Sequence, residues 1–158
     1  MIQITFLPTP IGKMGISAED GRLVRLFFDI SGLPEQWVRD NDDPLLRETV
    51  RQMNAYFAGG LRAFDLPYRL DAPSFTADVL EQLKTVPYGQ TTTYRALAAA
   101  VGKPEAARAV GQALHRNPLP ILLPCHRVLP ADGRLGGYAL GAERKRYLLA
   151  LESRVCHG

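Results

Sequence analysis

The feature that most limits what this chain can fold into is a change of apolar pattern around Leu70 to Pro73. Before it, apolar residues come in short runs separated by turn residues. Ile2 to Leu7, Met14 to Ala18 and Leu23 to Asp29 read as strands, divided by Pro10, Gly12 and the Asp20-Gly21 turn. One helix follows, opened by Asp42, Asp43 and Pro44 and closed by Gly59-Gly60, with Leu46, Val50, Met53 and Phe57 on one face. Beyond the boundary the spacing is helical. Ser74 is placed to cap a helix to about Val86, and Thr93 to cap a second from Tyr94 to Val101, with Leu97 and Val101 inward and Gly102 as its stop. Pro104 opens a third, to about His115, and a last amphipathic segment ends at Glu152. Two short helices joined through Gly102-Lys103 have helix-turn-helix dimensions. The expectation is an α/β N-terminal domain over residues 1–72, a small sheet plus a helix, and a mainly α C-terminal domain with a helix-turn-helix over residues 73–158.

Charge divides at the same place. The net charge is +3, but Met1 to Ser74 holds 8 Lys/Arg against 10 Asp/Glu, and the remainder 11 against 6. The basic half suits phosphate contacts, although such a surplus is often only a solvated surface. No apolar run is long enough to span a bilayer and the N-terminus lacks a signal-peptide pattern, so no membrane is expected and the location expected is cytoplasmic. Cys125 and Cys156 are too few for a disulfide framework, and with three histidines they form no spaced metal set. Gly136-Gly137 alone does not make a phosphate loop. Neither metal nor cofactor is expected.

Pro124-Cys125-His126-Arg127-Val128 sets a thiol beside an imidazole directly after the apolar Leu119 to Leu123. That is a candidate nucleophile with a base at hand; a plain buried cysteine is the competing reading. In the third helix Ala107, Val110 and Leu114 suit a buried face, while Arg108, Gln112 and His115 share another. A helix reading the major groove needs more polar side chains than this one has. Its small residues, Ala106, Ala109 and Gly111, suit close approach to a narrow minor groove around one inserted arginine.

Taken in order, Val86-Pro87-Tyr88-Gly89, Tyr94, Ala106-Ala107-Arg108-Ala109-Val110-Gly111, Asn117-Pro118, Pro124 to Val128, Tyr138 and Glu152 resemble the O6-alkylguanine-DNA alkyltransferases. Thr9-Pro10-Ile11-Gly12 and Tyr56-Phe57-Ala58-Gly59 extend the resemblance into the N-terminal half. The resemblance implies a ribonuclease H-like first domain, a winged-helix-like second one, and a monomer acting on double-stranded DNA that carries O6-alkylguanine, with O4-methylthymine a second candidate substrate. It implies that Ala106, Ala107, Arg108, Ala109 and Gly111 meet the DNA, and that Arg108 replaces a nucleotide turned out of the stack. Cys125 would then take the alkyl group. His126 would remove the thiol proton through a water, Glu152 would orient the imidazole, and Tyr94 would serve the leaving guanine with the amide of Ala139. The pocket would be lined by Tyr94, Leu114, Val128, Tyr138, Ala139 and Leu140, the carbonyls of Cys125 and Val128 would accept from the guanine amine, and Asn117 would be a hinge. A thioether product gives water nothing to attack, so each molecule would act once and without a cofactor.

Leu140 stands where the family tends to have glycine; Thr76, Leu80 and Tyr147 also depart from common family residues. Three rival functions are separable. A lesion-binding protein that does no chemistry would lack Cys125; a cysteine hydrolase would have no use for Arg108; a transcriptional regulator needs a more polar recognition helix.

Overall fold

The computed structural model describes residues 1–157 as two compact units, Met1–Leu70 and a second beginning at Asp71. In the first, β1 (Gln3–Thr9), β2 (Gly12–Glu19) and β3 (Arg22–Phe27) form an antiparallel meander, and β4 (Val38–Arg39) adds to β1 in parallel, giving the order β3-β2-β1-β4. Strand β4 has no signature in the sequence because two residues show no alternation. Period-two alternation puts Thr5, Leu7, Met14, Ile16 and Leu26 on one buried face.

Helix α1 (Pro44–Phe57) packs on β1 and β2, and its N-terminus is capped by the Asp43 carboxylate, which accepts from the Leu46 amide at 3.0 Å. Its buried residues are Leu46, Thr49, Gln52, Met53 and Tyr56, so the face is rotated from the expected one and Val50 and Phe57 are only half-buried. Polar residues enter the core because they are satisfied there. The Thr49 hydroxyl donates to the Leu45 carbonyl at 2.8 Å, and the Gln52 side-chain amide exchanges bonds with the backbone of Asp65 at 2.9 and 3.0 Å.

The second unit is mainly helical. Helix α2 (Ser74–Gln82) runs into a short 3₁₀ turn, Leu83–Thr85; Pro73 rather than Ser74 occupies the cap position, and no side chain caps it. Strand β5 (Thr92–Thr93) pairs in parallel with β6 (Val128–Leu129), bringing the start of α3 (Tyr94–Ala100) beside the Cys-His segment. Thr93 caps α3 as expected, accepting from the Ala96 amide at 3.0 Å. Helix α4 (Ala107–His115) starts later than Pro104, because Lys103 to Ala106 closes a turn through the Ala106 amide and the Lys103 carbonyl. Helix α5 (Ala142–His157) continues past Glu152, which therefore lies inside the helix and not at its end. No helix among the described residues is long and apolar enough to cross a membrane.

Candidate active site

Cys125, His126 and Arg127 form a single 3₁₀ turn, all three buried. Asn117, just past α4, holds the preceding loop from both ends of its side-chain amide. Its Nδ2 donates to the Leu123 carbonyl at 2.8 Å and to Cys125 Sγ at 3.2 Å, while its Oδ1 accepts from the Leu119 amide at 2.9 Å. Within that loop Ile121 is buried at φ 75°, a backbone region costly for a β-branched residue. Burial pushes the Cys125 thiol up from its ordinary value, opposed by hydrogen bonds from Asn117 and Tyr138, by its own backbone and by the charge of Lys145.

Glu152 is the hub behind the thiol. Its Oε2 lies 2.7 Å from His126 Nε2 and 3.1 Å from Arg127 Nη2, and its Oε1 accepts from Arg127 Nε at 2.8 Å and the Gly89 amide at 3.3 Å. Arg127 also donates to the Val86 carbonyl at 2.8 Å and lies 5.6 Å from the centroid of the Tyr88 ring. Burial alone would raise the Glu152 carboxyl, but hydrogen bonds from His126 and Arg127 and the charge of the Arg127 guanidinium hold it well below the usual carboxylate range. An ionised carboxylate can only accept, so His126 Nε2 carries the hydrogen and Nδ1 is the ring's lone-pair atom. That Nδ1 is buried without a hydrogen-bond partner among the described residues. Burial lowers the His126 pKa, against the pull of Glu152 and with the help of the Arg127 and Lys145 charges, so the resting imidazole is neutral.

Lys145, fully buried on α5, completes the set. Its Nζ donates to the Val128 carbonyl at 2.8 Å and the Gly137 carbonyl at 3.1 Å, tying β6 to the glycine loop. Burial lowers its pKa while the charge of Cys125 raises it. The loop comes this close only because residue 136 is glycine: φ is +74°, and a Cβ there would sit 2.7 Å from the Pro130 ring.

Above the thiol is a narrow cleft lined by Tyr94, Gly111, Leu114, His115, Cys125, Gly137, Tyr138 and Ala139. Tyr94, Leu114, Tyr138 and Ala139 stand where the resemblance puts the pocket. Val128 and Leu140 do not line it: Val128 is wholly buried, and the Leu140 carbonyl accepts from Arg144 Nη1 at 3.2 Å. Gly111, expected at the DNA, forms cleft wall, where a Cβ would lie 3.8 Å from the Tyr94 ring. On the rest of α4, Arg108 and Ala109 are exposed, Ala106 at its cap and Ala107 are half-buried, and Ala113 joins Val110 and Leu114 in the core in place of the expected Ala107.

Residues 2–70 match the ribonuclease-like domain of the 6-O-methylguanine DNA methyltransferases, and residues 74–154 match their DNA-binding domain. The chain belongs to that family. A methylated-DNA--protein-cysteine methyltransferase of Methanosarcina acetivorans is 46% identical over 149 residues, 91% of this chain and 94% of that one. A constitutive one of Bacillus subtilis is 40% identical over 158 residues, 94% of this chain and 93% of that one. Among solved structures, the O6-methylguanine methyltransferase of Mycobacterium tuberculosis superposes with a TM-score of 0.90 at 38% identity, covering 98% of this chain and 94% of that one. The same organism's protein in complex with DNA gives 0.89 at 39%, covering 97% and 94%.

Within this family fold, two site residues escape a reading from motifs alone. Arg127 lies inside the Cys-His segment without a role that its residue type suggests, and Lys145 reads as one of several charges on α5. A signal for the second exists: Lys145, Leu148, Leu151 and Glu152 are the buried residues of α5, so one helical stripe carries a charge at each end.

Proposed function

We propose that this chain repairs DNA by direct reversal, moving the alkyl group of O6-alkylguanine onto Sγ of Cys125, once per molecule. What carries the reading is the buried thiol at the cleft floor with a neutral, carboxylate-held imidazole behind it. Exposed Arg108 on α4 enters the duplex and the damaged nucleotide turns out into the cleft. The cleft encloses only about 10 Å³ of free volume, far below the range of about 300 to 1,000 Å³ usual for small-molecule sites, so its walls must part to admit the base. His126 Nδ1 takes the thiol proton through a water. The sulfur then bonds the alkyl carbon, the carbon–oxygen bond breaks, and its electrons pass to guanine. Tyr94, whose pKa is raised by burial and by the charge of Cys125, remains a hydroxyl at neutral pH and supplies the proton to the leaving base. The Val128 carbonyl, held by Lys145, lies outside the closed cleft, and it accepts from the guanine amine once the walls have parted. The protein works as a monomer in the cytoplasm. A lesion binder without chemistry is disfavoured because Cys125 is present.

Intact-mass measurement after mixing with duplex DNA containing O6-methylguanine tests this. The expected gain is one methylene equivalent located on Cys125; an unchanged mass, or label on Cys156, overturns it. His126→Ala is expected to slow transfer by about 100-fold near neutral pH and to recover as pH rises, because hydroxide replaces the missing base. Rate against pH for both proteins measures this. Since Leu140 lies outside the cleft lining, Leu140→Gly is expected to leave the ratio of O6-benzylguanine to O6-methylguanine rates within about twofold of wild type, an effect below about 0.5 kcal/mol.

A further inference from the structure

The face of the first unit's sheet that carries Ile4 and Phe6, opposite the one bearing Leu7, Met14 and Ile16, has a feature the alkyl-transfer site does not use. Register places Ile4, Phe6, Gly15, Ser17, Arg25, Phe27 and Arg39 on it, and Lys13 joins them by alternation. Three cations from three different strands thus point the same way, and all three are exposed. Each is seated by an aromatic ring. Lys13 Nζ and Arg39 Cζ lie 5.0 and 5.2 Å from the Phe6 centroid, and Arg25 Cζ lies 5.5 Å from that of Phe27, which meets Trp37 edge-on at 6.0 Å. The floor between them must be small: a Cβ on Gly15 would fall 2.2 Å from the Phe27 ring.

Several of this unit's carboxylates are engaged elsewhere. Glu19 pairs with Arg69 and the N-terminus, Glu48 with Arg51, Asp43 caps α1, and Asp40 accepts from Gln3. Asp29 is the carboxylate that feels Arg25, and Ser31 already binds it. Arg39 has a neutral partner, Asn41. The three cations form no ion pair in the described structure.

We propose that this face contacts the phosphate backbone of duplex DNA, a second DNA surface apart from α4; the proposal rests on the DNA-directed function above. The rings are covered by cations, which leaves them as supports and not as stacking platforms for bases. Recognition is therefore by charge and independent of sequence.

Neutralising a phosphate contributes about 0.9 to the slope of log affinity against log salt. For the full-length chain on an undamaged duplex several turns long, between about 50 and 200 mM salt, the triple variant Lys13→Gln, Arg25→Gln, Arg39→Gln is expected to have a slope shallower by about 2 to 3. It is also expected to bind at least about tenfold more weakly at the low-salt end. The charge-keeping triple Lys13→Arg, Arg25→Lys, Arg39→Lys keeps the wild-type slope. Wild-type slope and affinity in the neutral triple overturn the proposal, as does equal loss in both triples. Should the neutral triple fail to fold, Lys13→Gln alone decides, with an expected slope change of about 0.9; no change overturns the proposal. Methyl transfer at saturating damaged DNA is unaltered in the triples. Absence of transfer in the wild type as well would overturn the repair function, and the salt dependence would still decide separately whether this face meets DNA.

Discussion

Cys125→Ser is expected to abolish alkyl transfer, by on the order of 10⁴-fold or more, while leaving affinity for duplex DNA within about twofold of wild type. A hydroxyl is far less acidic and less nucleophilic than a thiol, and the relay through neutral His126 is matched to a sulfur leaving as thiolate. Serine does not disturb the loop. Its Oγ accepts from Asn117 Nδ2 as the sulfur does, so the bracket on Leu119 and Leu123 stays closed. Arg108 and Ala109 are exposed on α4, away from the substituted atom, so binding persists. Single-turnover transfer assays and gel shifts on the same preparations separate the two effects. Transfer by the serine protein at a tenth of the wild-type rate or more would remove Cys125 from the chemistry.

The expected elements and the observed ones agree where a physical signal repeats along the chain and part where it does not. Strands β1 to β3 repeat their alternation over several residues, and Thr93 caps α3 by a local bond that a sequence displays directly. Strands β4, β5 and β6 are two residues each, too short for any period, and exist because a neighbouring strand supplies their partners. The face of α1 departs from expectation for a different reason. Thr49 and Gln52 are polar by type, and their burial is made inexpensive by the Leu45 carbonyl one turn back in the same helix for the first and by the distant Asp65 backbone for the second.

At the proposed site, Cys125 beside His126 is legible from residue types as a thiol with a base at hand, the roles proposed for Tyr94 and Glu152 come from the family resemblance, and the residues that hold the set are not legible at all. Arg127 and Lys145 are basic residues in a basic half, and charge favours the surface. Their burial follows from acceptors far away in sequence: Val86 and Glu152 for one, Val128 and Gly137 for the other. Leu140 errs the opposite way. A motif position implies a pocket wall, yet Leu140 is not among the residues that line the cleft.

Arg127→Met is expected to cost about 3 to 5 kcal/mol, the cost of removing one partner of a buried ion pair. The side chains of Arg127 and Glu152 are 8% and 1% exposed, so water screens little of the loss. Methionine fills much of the volume but leaves the Val86 carbonyl without that donor and takes both guanidinium bonds from Glu152. Glu152→Gln in the arginine background strands the guanidinium in turn. In the double variant neither charge remains, and part of the loss returns. The cycle's coupling is expected at about 2 to 3 kcal/mol, favourable for the pair. The single tryptophan, Trp37, is in the first unit, while α2 to α5 are in the second. Denaturation followed by far-ultraviolet circular dichroism therefore registers the loss, and Trp37 fluorescence is a control. Acid acts on the same hub with a definite sign. The Glu152 pKa is held down by its partners, so its contribution is complete above the ordinary carboxylate range and fades as pH falls through that range towards the folded-state pKa. The lowered pKa of His126 acts in the same direction from about pH 6.5 downward, because the unfolded chain binds that proton more readily. Wild-type stability should therefore fall on acidification from below neutrality, and the double variant should lose less over the same interval. Equal acid sensitivity in both would place the titrating groups somewhere other than this hub.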